Sequence, residues 1–190
     1  LAIALLVGMV GCKGKEPDKG LADLTEEEQG IVQLLGNSPF PEMTLLDEKK
    51  NEVVLKAEKD EILVVNFWAT WCPYCIEEIP ILNQVAAENK GKKVRVVMVN
   101  TLDTEGSAYS AADIQVIQSN KAPLNIQVET YVDHNLEAAQ ALNLRSLPQT
   151  LIVDGENILR FTYPGMLEDA GQLEEMIGYV RDYSKYKPVE

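Results

Sequence analysis

Cys72 and Cys75 stand two residues apart where an apolar run gives way to a helical pattern, and that junction constrains everything around it. Ile62-Leu63-Val64-Val65 has the length and branching of a buried strand. Beyond Phe67-Trp68-Ala69-Thr70-Trp71, the residues Ile76, Ile79, Leu82, Val85 and Ala86 recur at helical spacing. Cys72 therefore falls near a helix N-terminus, where unpaired backbone N–H groups and the positive end of the dipole favour a thiolate. The spacing also lets Cys75 attack a mixed disulfide formed on Cys72. That is redox chemistry.

Two other readings compete. Half of a zinc site is one, but structural zinc takes four ligands, and the chain offers only Cys12 and His134 besides the pair. A purely structural disulfide is the other, suited to an oxidising compartment. Trp68 and Trp71 in front of the pair argue against it, because they read as a flat apolar collar around an exposed sulfur.

Phe67-Trp68-Ala69-Thr70-Trp71-Cys72, with Cys75-x-x-Glu78-x-Pro80 after it, resembles the TlpA/ResA-like thiol–disulfide oxidoreductases of thioredoxin fold. The resemblance runs from about Ser38 to about Gly178 and includes Leu147-Pro148, which matches the family's cis-proline loop. It implies an α/β thioredoxin-like fold: a central mixed sheet flanked by helices, an N-terminal hairpin and a central insertion. Cis bonds are only about 5–6 per cent of X–Pro bonds, so the resemblance alone supports a cis Pro148.

The 190 residues hold one domain with a full core and an appendage. A net charge of −13 argues against nucleic acid and anionic membrane surfaces as partners. Leu1 to Gly11 is almost wholly apolar, too short for a spanning helix but suited to the apolar region of a signal peptide. Met9-Val10-Gly11-Cys12 resembles a bacterial lipobox, so residues 1–11 are expected to be a signal remnant and Cys12 a lipidated cysteine. An ordinary signal peptide or a truncated membrane helix are the alternatives. Lipidation of Cys12 leaves Cys72 and Cys75 as a self-contained pair in a compartment where disulfides persist. Lys13 to Gly20 reads as a tether.

Thr25 and Glu28 read as a capping box for a short helix bearing Ile31, Leu34 and Leu35, stopped at Gly36. Residues 12–37 thus form a lipidated linker with one helix, and 38–190 the domain, with Ser38-Pro39-Phe40-Pro41 at the boundary. Residues 43–46 and 53–55 suggest a hairpin, 62–67 and 94–99 neighbouring strands joined by a helix over 73–89, kinked at Pro80. Ser107 to Asn120, with Ile114 and Ile117 inward, reads as a weaker helix. The resemblance makes it, and the following strand over 127–132, the family's insertion. Leu136, Ala139 and Leu142 carry a third helix, and Asp154-Gly155-Glu156-Asn157 a hairpin turn. Leu173, Met176, Ile177 and Val180 line the inner face of a final helix.

Cys72 is expected to be the attacking thiolate and Cys75 the more buried resolving thiol. Pro73 suits the first helical position, and Tyr74 fills the turn between the sulfurs. The tetrapeptide Cys72-Pro73-Tyr74-Cys75 is also that of glutaredoxins, and redox potentials across such enzymes span about 150 mV, so no potential is read from it. Thioredoxins carry a buried acid where this chain has Asn66, which cannot accept a proton from Cys75. The resemblance makes Glu78 the substitute, provided burial raises its pKa; otherwise it is a surface carboxylate like Glu77. The same resemblance sets Trp71, Pro73, Tyr74 and Leu147 beside an incoming substrate.

His134 in Asp133-His134-Asn135 reads as an exposed turn histidine, so no metal site is assigned. The rival it supports is a thioredoxin-folded copper chaperone of the SCO type, although those carry one more residue between the cysteines. The expected function is an envelope thiol–disulfide oxidoreductase, more specifically a reductase in cytochrome c maturation or a similar pathway. The redox-active disulfide is its sole redox group, with no other cofactor. Its expected partners are protein thiols or disulfides such as apocytochrome c, an upstream membrane thiol reductant, and the membrane through lipid on Cys12.

Overall fold

Strand β4 (Ile62–Trp68) is buried along all seven residues, and the fold is arranged on its two faces. The computed structural model describes residues 25–26, 29–30, 35–101 and 114–183. The expected signal remnant, Cys12, the tether, Glu28 of the capping box and residues 107–113 of the insertion helix lie outside the described residues.

The described residues form one eight-stranded sheet in the order β1-β8-β7-β4-β5-β6-β2-β3. Its other strands are β1 (Ser38–Pro39), β2 (Thr44–Leu46), β3 (Glu52–Val54), β5 (Val94–Asn100), β6 (Glu129–Val132), β7 (Gln149–Val153) and β8 (Ile158–Pro164). β4, β5 and β6 run parallel, and β7 and β8 pair antiparallel beyond β4. This is the mixed sheet expected. Successive strand residues face opposite sides. Leu63, Val65 and Phe67 accordingly join Leu45, Leu55, Val97 and Leu151 on one face. Val64 and Trp68 join Leu82, Val85, Leu173 and Ile177 on the other. Each such aliphatic side chain contributes about 1.5–3 kcal/mol by leaving water. Asn66 has the parity of Val64 and Trp68, so its side chain enters the face that helices cover.

Those helices are α1 (Pro73–Glu77), α2 (Ile79–Glu88) and the final helix α5 (Ala170–Tyr183); α3 (Ile114–Lys121) and α4 (Glu137–Ala141) lie elsewhere. The kink expected at Pro80 is instead a break. α1 ends at Glu77, Glu78 takes φ −87° and ψ −8°, and α2 restarts at Ile79. Pro80 has no N–H, and its ring would crowd the Ile76 carbonyl in a continuous helix. The Glu78 N–H closes α1 on the Tyr74 carbonyl at 3.2 Å, and Pro80 falls in the first turn of α2, where no N–H is required.

The chain before the boundary is part of the fold. Leu35 is buried, and the Gly36 N–H donates to the Arg160 carbonyl at 2.7 Å. A Cβ on Gly36 would stand 2.8 Å from the Leu159 carbonyl oxygen, so a larger residue would push this segment off β8. Buried Arg160 donates to Asp154, to the Gly36 carbonyl and to Asn37 Oδ1, fastening the segment from the other side. The β7–β8 turn is as expected, with Asn157 at φ 60° and Asp154 Oδ1 accepting from the Glu156 and Ile158 N–H groups.

His134 is not the exposed turn residue expected. Its side chain is only 12% exposed, with Nε2 bridged to Asn135 and 4.0 Å from Glu52. Leu46 of β2 pairs with both Val132 of β6 and Glu52 of β3, so β2 lies between those strands and sets the Glu52 side chain beside the ring.

Candidate active site

Cys72 sits just past the C-terminal end of β4 and caps α1. Its Sγ accepts the Cys75 N–H at 3.2 Å, and the two cysteines are disulfide-bonded with Cα atoms 5.3 Å apart. Since α1 has only five residues, this directed N–H, rather than a long helix dipole, is what a Cys72 thiolate would meet. Cys75 is fully buried and Cys72 nearly so. Around them Trp71 and Tyr74 are 59% and 61% exposed, and Pro73 at the first helical position is also exposed. The expected collar of two tryptophans is thus corrected. Trp68 continues the β4 alternation into the core and is fully buried, so Trp71 and Tyr74 form the exposed apolar surface.

β7 brings the proline loop to the same end of the sheet. Phe67 pairs with Gln149, which sets Pro148 level with Trp68, and the Leu147–Pro148 bond is cis. Pro148 is buried; Leu147 is half-buried and packs against both core faces. The Pro148 carbonyl accepts the Gly165 N–H at 2.9 Å, with Gly165 at φ +98°. The loop after β8 is thereby tied to the proline loop.

Glu78 is where the elements converge. At the α1–α2 break, one turn beyond Cys75, its carboxyl group turns inward and is fully buried. Oε1 accepts from Asn66 Nδ2 of β4 at 2.7 Å, and Oε2 accepts the Leu167 N–H at 3.1 Å. Asn66 Nδ2 also donates to Thr150 Oγ1 of β7 at 3.1 Å. Burial pushes the Glu78 pKa up to about 7, against the opposing pull of the Leu167 and Asn66 hydrogen bonds. An acid poised there can both take and release a proton near neutrality.

Asn66, Thr150 and Leu167 are the members of this cluster that the sequence did not assign. Asn66 carried a signal: a polar residue in an otherwise apolar central strand needs a buried partner. Thr150 and Leu167 carried none, because only the sheet order and the loop after β8 bring them in.

Glu78 also sets a pH dependence of stability. Its pKa is raised in the folded state, so the fold holds an extra proton between pH 4.5 and about 7. The associated stability is fully present below the lower value and lost as pH rises through the upper one. The loss is on the order of 3 kcal/mol. Urea unfolding of the oxidised protein at pH 4.5 and pH 8 is expected to show this difference, and Glu78→Gln to remove it. Equal pH dependence in the two proteins would contradict the burial argument.

A paired cysteine capping a helix after a buried strand, opposite a cis-proline loop, defines a thiol–disulfide oxidoreductase of thioredoxin fold. The model of the AhpC/TSA family matches residues 37–162. The thiol:disulfide interchange protein DsbE of Allochromatium vinosum is 30% identical over 160 residues, covering 83% of this chain and 82% of that protein. The DsbE of Escherichia coli (strain K12) is 30% identical over 123 residues, 65% of this chain and 60% of that one. The fold is similar to that of StoA from Bacillus subtilis (TM-score 0.59, 18% identity, 73% of this chain and 97% of that chain). It is similar also to an exposed lipoprotein thioredoxin of Streptococcus pneumoniae strain TIGR4 (TM-score 0.60, 24% identity, 73% and 99%). The chain belongs to the AhpC/TSA family and is a thiol–disulfide oxidoreductase.

Proposed function

We propose that this protein is a reductase of the bacterial cell envelope that passes electrons from the Cys72/Cys75 dithiol to protein disulfides, apocytochrome c among them. Cys72 thiolate attacks one sulfur of the substrate disulfide, that S–S bond breaks, and the other substrate sulfur leaves as a thiolate. Cys75 then gives its proton to Glu78 and attacks Cys72 Sγ, releasing the second substrate thiolate and forming the Cys72–Cys75 disulfide. Two electrons reach the substrate, and an upstream membrane thiol reductant restores the pair. Trp71, Tyr74 and Pro73 offer the exposed surface for the substrate chain, with Leu147 and Pro148 on its other side. The single observation that carries this reading is the buried Glu78 carboxyl one turn beyond Cys75.

The names of the relatives support protein thiols as substrates. Lipidation of Cys12 supplies the anchor in this reading; among the described residues no helix is long and apolar enough to cross a membrane. The net charge of −13 argues against nucleic acid as a partner. For the copper alternative, no three His, Cys, Asp or Glu side chains converge among the described residues, and His134 is engaged with Asn135.

The test is capture in vivo. A bacterium expressing Cys75→Ser behind a complete signal sequence is expected to accumulate mixed disulfides on Cys72 in its membrane fraction, with c-type cytochrome precursors among the partners. Cys12→Ser should release them from that fraction. Trapped species lacking cytochrome precursors would overturn the substrate, and a wild-type protein already free of membranes would overturn the anchor.

A further inference from the structure

Two loose ends lie side by side in the Glu78 pocket. Asn66 is fully buried, yet its Oδ1 has no hydrogen-bond partner among the described residues. Both groups that reach Glu78 are donors: Asn66 Nδ2 at 2.7 Å and the Leu167 N–H at 3.1 Å. They suit a carboxylate. Once Glu78 is protonated, its own O–H needs an acceptor, and neither contact supplies one.

We propose that the Asn66 carboxamide turns over with the protonation state of Glu78, presenting its NH2 to the carboxylate and its carbonyl to the carboxylic acid. A half-turn about the last side-chain bond exchanges oxygen and nitrogen at almost unchanged shape, so the packed core need not move. In the turned state the Glu78 O–H donates to Asn66 Oδ1, and the Thr150 hydroxyl, now next to that oxygen, donates to its second lone pair. The Leu167 N–H keeps its hold on Oε2. One polar group is left over in either orientation, the carbonyl in one and the NH2 in the other, so neither is locked. Asn66 thus acts as a positioning residue. It keeps both forms of a buried acid populated, which a proton acceptor for Cys75 requires.

The other groups facing Glu78 leave this pairing intact. Cys75, three residues before it, is held in the disulfide of the oxidised protein. Glu77 and Glu168, adjacent in sequence to Glu78 and to Leu167, are exposed. Burial and the two hydrogen bonds, with no charged side chain, set the Glu78 titration.

The proposal rests on Glu78 being the proton-exchanging group of the proposed mechanism, but its test needs no thiol. NMR of the oxidised protein, labelled with 13C and 15N, follows Glu78 Cδ and the Asn66 side-chain NH2 from pH 5 to pH 9. Both are expected to shift with one midpoint, near 7. The contact between the Asn66 NH2 protons and the Thr150 side chain should be present above the midpoint and lost below it. Asn66 signals that stay still while Glu78 titrates would overturn the proposal, as would a Thr150 contact retained at pH 5. Asn66→Ala takes a donor from the carboxylate and an acceptor from the acid at once. The bond to the charged form is the stronger, so the Glu78 midpoint should rise, but by less than loss of the donor alone would give. Asn66→Leu, close in shape, gives the same reading if the alanine variant does not fold. A midpoint that falls in the folded variant contradicts the coupling. Any of these failures leaves proton transfer from Cys75 standing, since that is tested by the kinetics of Glu78→Gln.

Discussion

Replacing Cys72 with serine is expected to abolish thiol–disulfide exchange, whereas replacing Cys75 is expected to stop it one step later. A hydroxyl has no thiolate to offer near neutral pH, so Cys72→Ser removes the attacking group altogether. In Cys75→Ser the first attack still occurs, one substrate thiolate leaves, and the chain remains joined to its substrate through Cys72. Insulin reduction measured with each reduced variant separates the two steps. No turnover with either, and a covalent adduct with Cys75→Ser only, is the expected pattern. An adduct on Cys72→Ser would mean that Cys75 attacks first despite its complete burial.

The second large effect belongs to Glu78. Glu78→Gln keeps the shape of the buried group and one carbonyl oxygen for the donors Asn66 Nδ2 and Leu167 N–H, but removes the acceptor proposed for the Cys75 proton. Resolution of a preformed mixed disulfide is expected to slow by about 10²–10⁴-fold, the usual cost of a lost general base. The thiol pKa values should fall at the same time, because the nearby carboxylate no longer opposes a thiolate. In the wild type the resolution rate should rise with pH through a midpoint near 7, where Glu78 ionises. Cys75 and Glu78 titrate as a pair, so the midpoint belongs to both. Glu77→Gln, on an exposed side chain, serves as the control. Stopped-flow traces in which Glu78→Gln resolves at the wild-type rate would show that the proton leaves by another route.

Much of this was legible from local pattern. The β4 run, the amphipathic final helix and the Asp154–Asn157 turn each obey a rule spanning a few residues, and each appears where its rule puts it. The misreadings arise where two local signals compete or a distant element intervenes. Pro80 signalled trouble in a helix, but a kink and a break look alike in sequence. The break that resulted places Glu78 at the junction, where its side chain turns inward to Asn66 and Leu167. Trp68 and Trp71 were read as one collar, yet β4 parity already separated them: Trp68 shares a face with Val64. The partial burial of His134 beside Glu52 follows from β2 pairing with both β6 and β3, a contact set by sheet order and invisible in Asp133-His134-Asn135 alone.

The Asn66–Glu78 pair shows the same limit at the site itself. Twelve residues separate them, across the strand-to-helix turn that carries both cysteines, so no periodicity joins them. The substitution of Asn for a buried acid at position 66 and the presence of Glu at 78 were visible separately. Their union as one hydrogen-bonded unit required the fold.

The central claim, that Cys72 is the nucleophile of a redox-active pair, is tested most directly by alkylating the fully reduced protein with iodoacetamide under pseudo-first-order conditions. Mass spectrometry of quenched samples across pH assigns each modification. Cys72 should be labelled well before Cys75, with a midpoint below the ~8.5 of a free thiol. Labelling of Cys75 first, or of both at equal rates, would contradict the account.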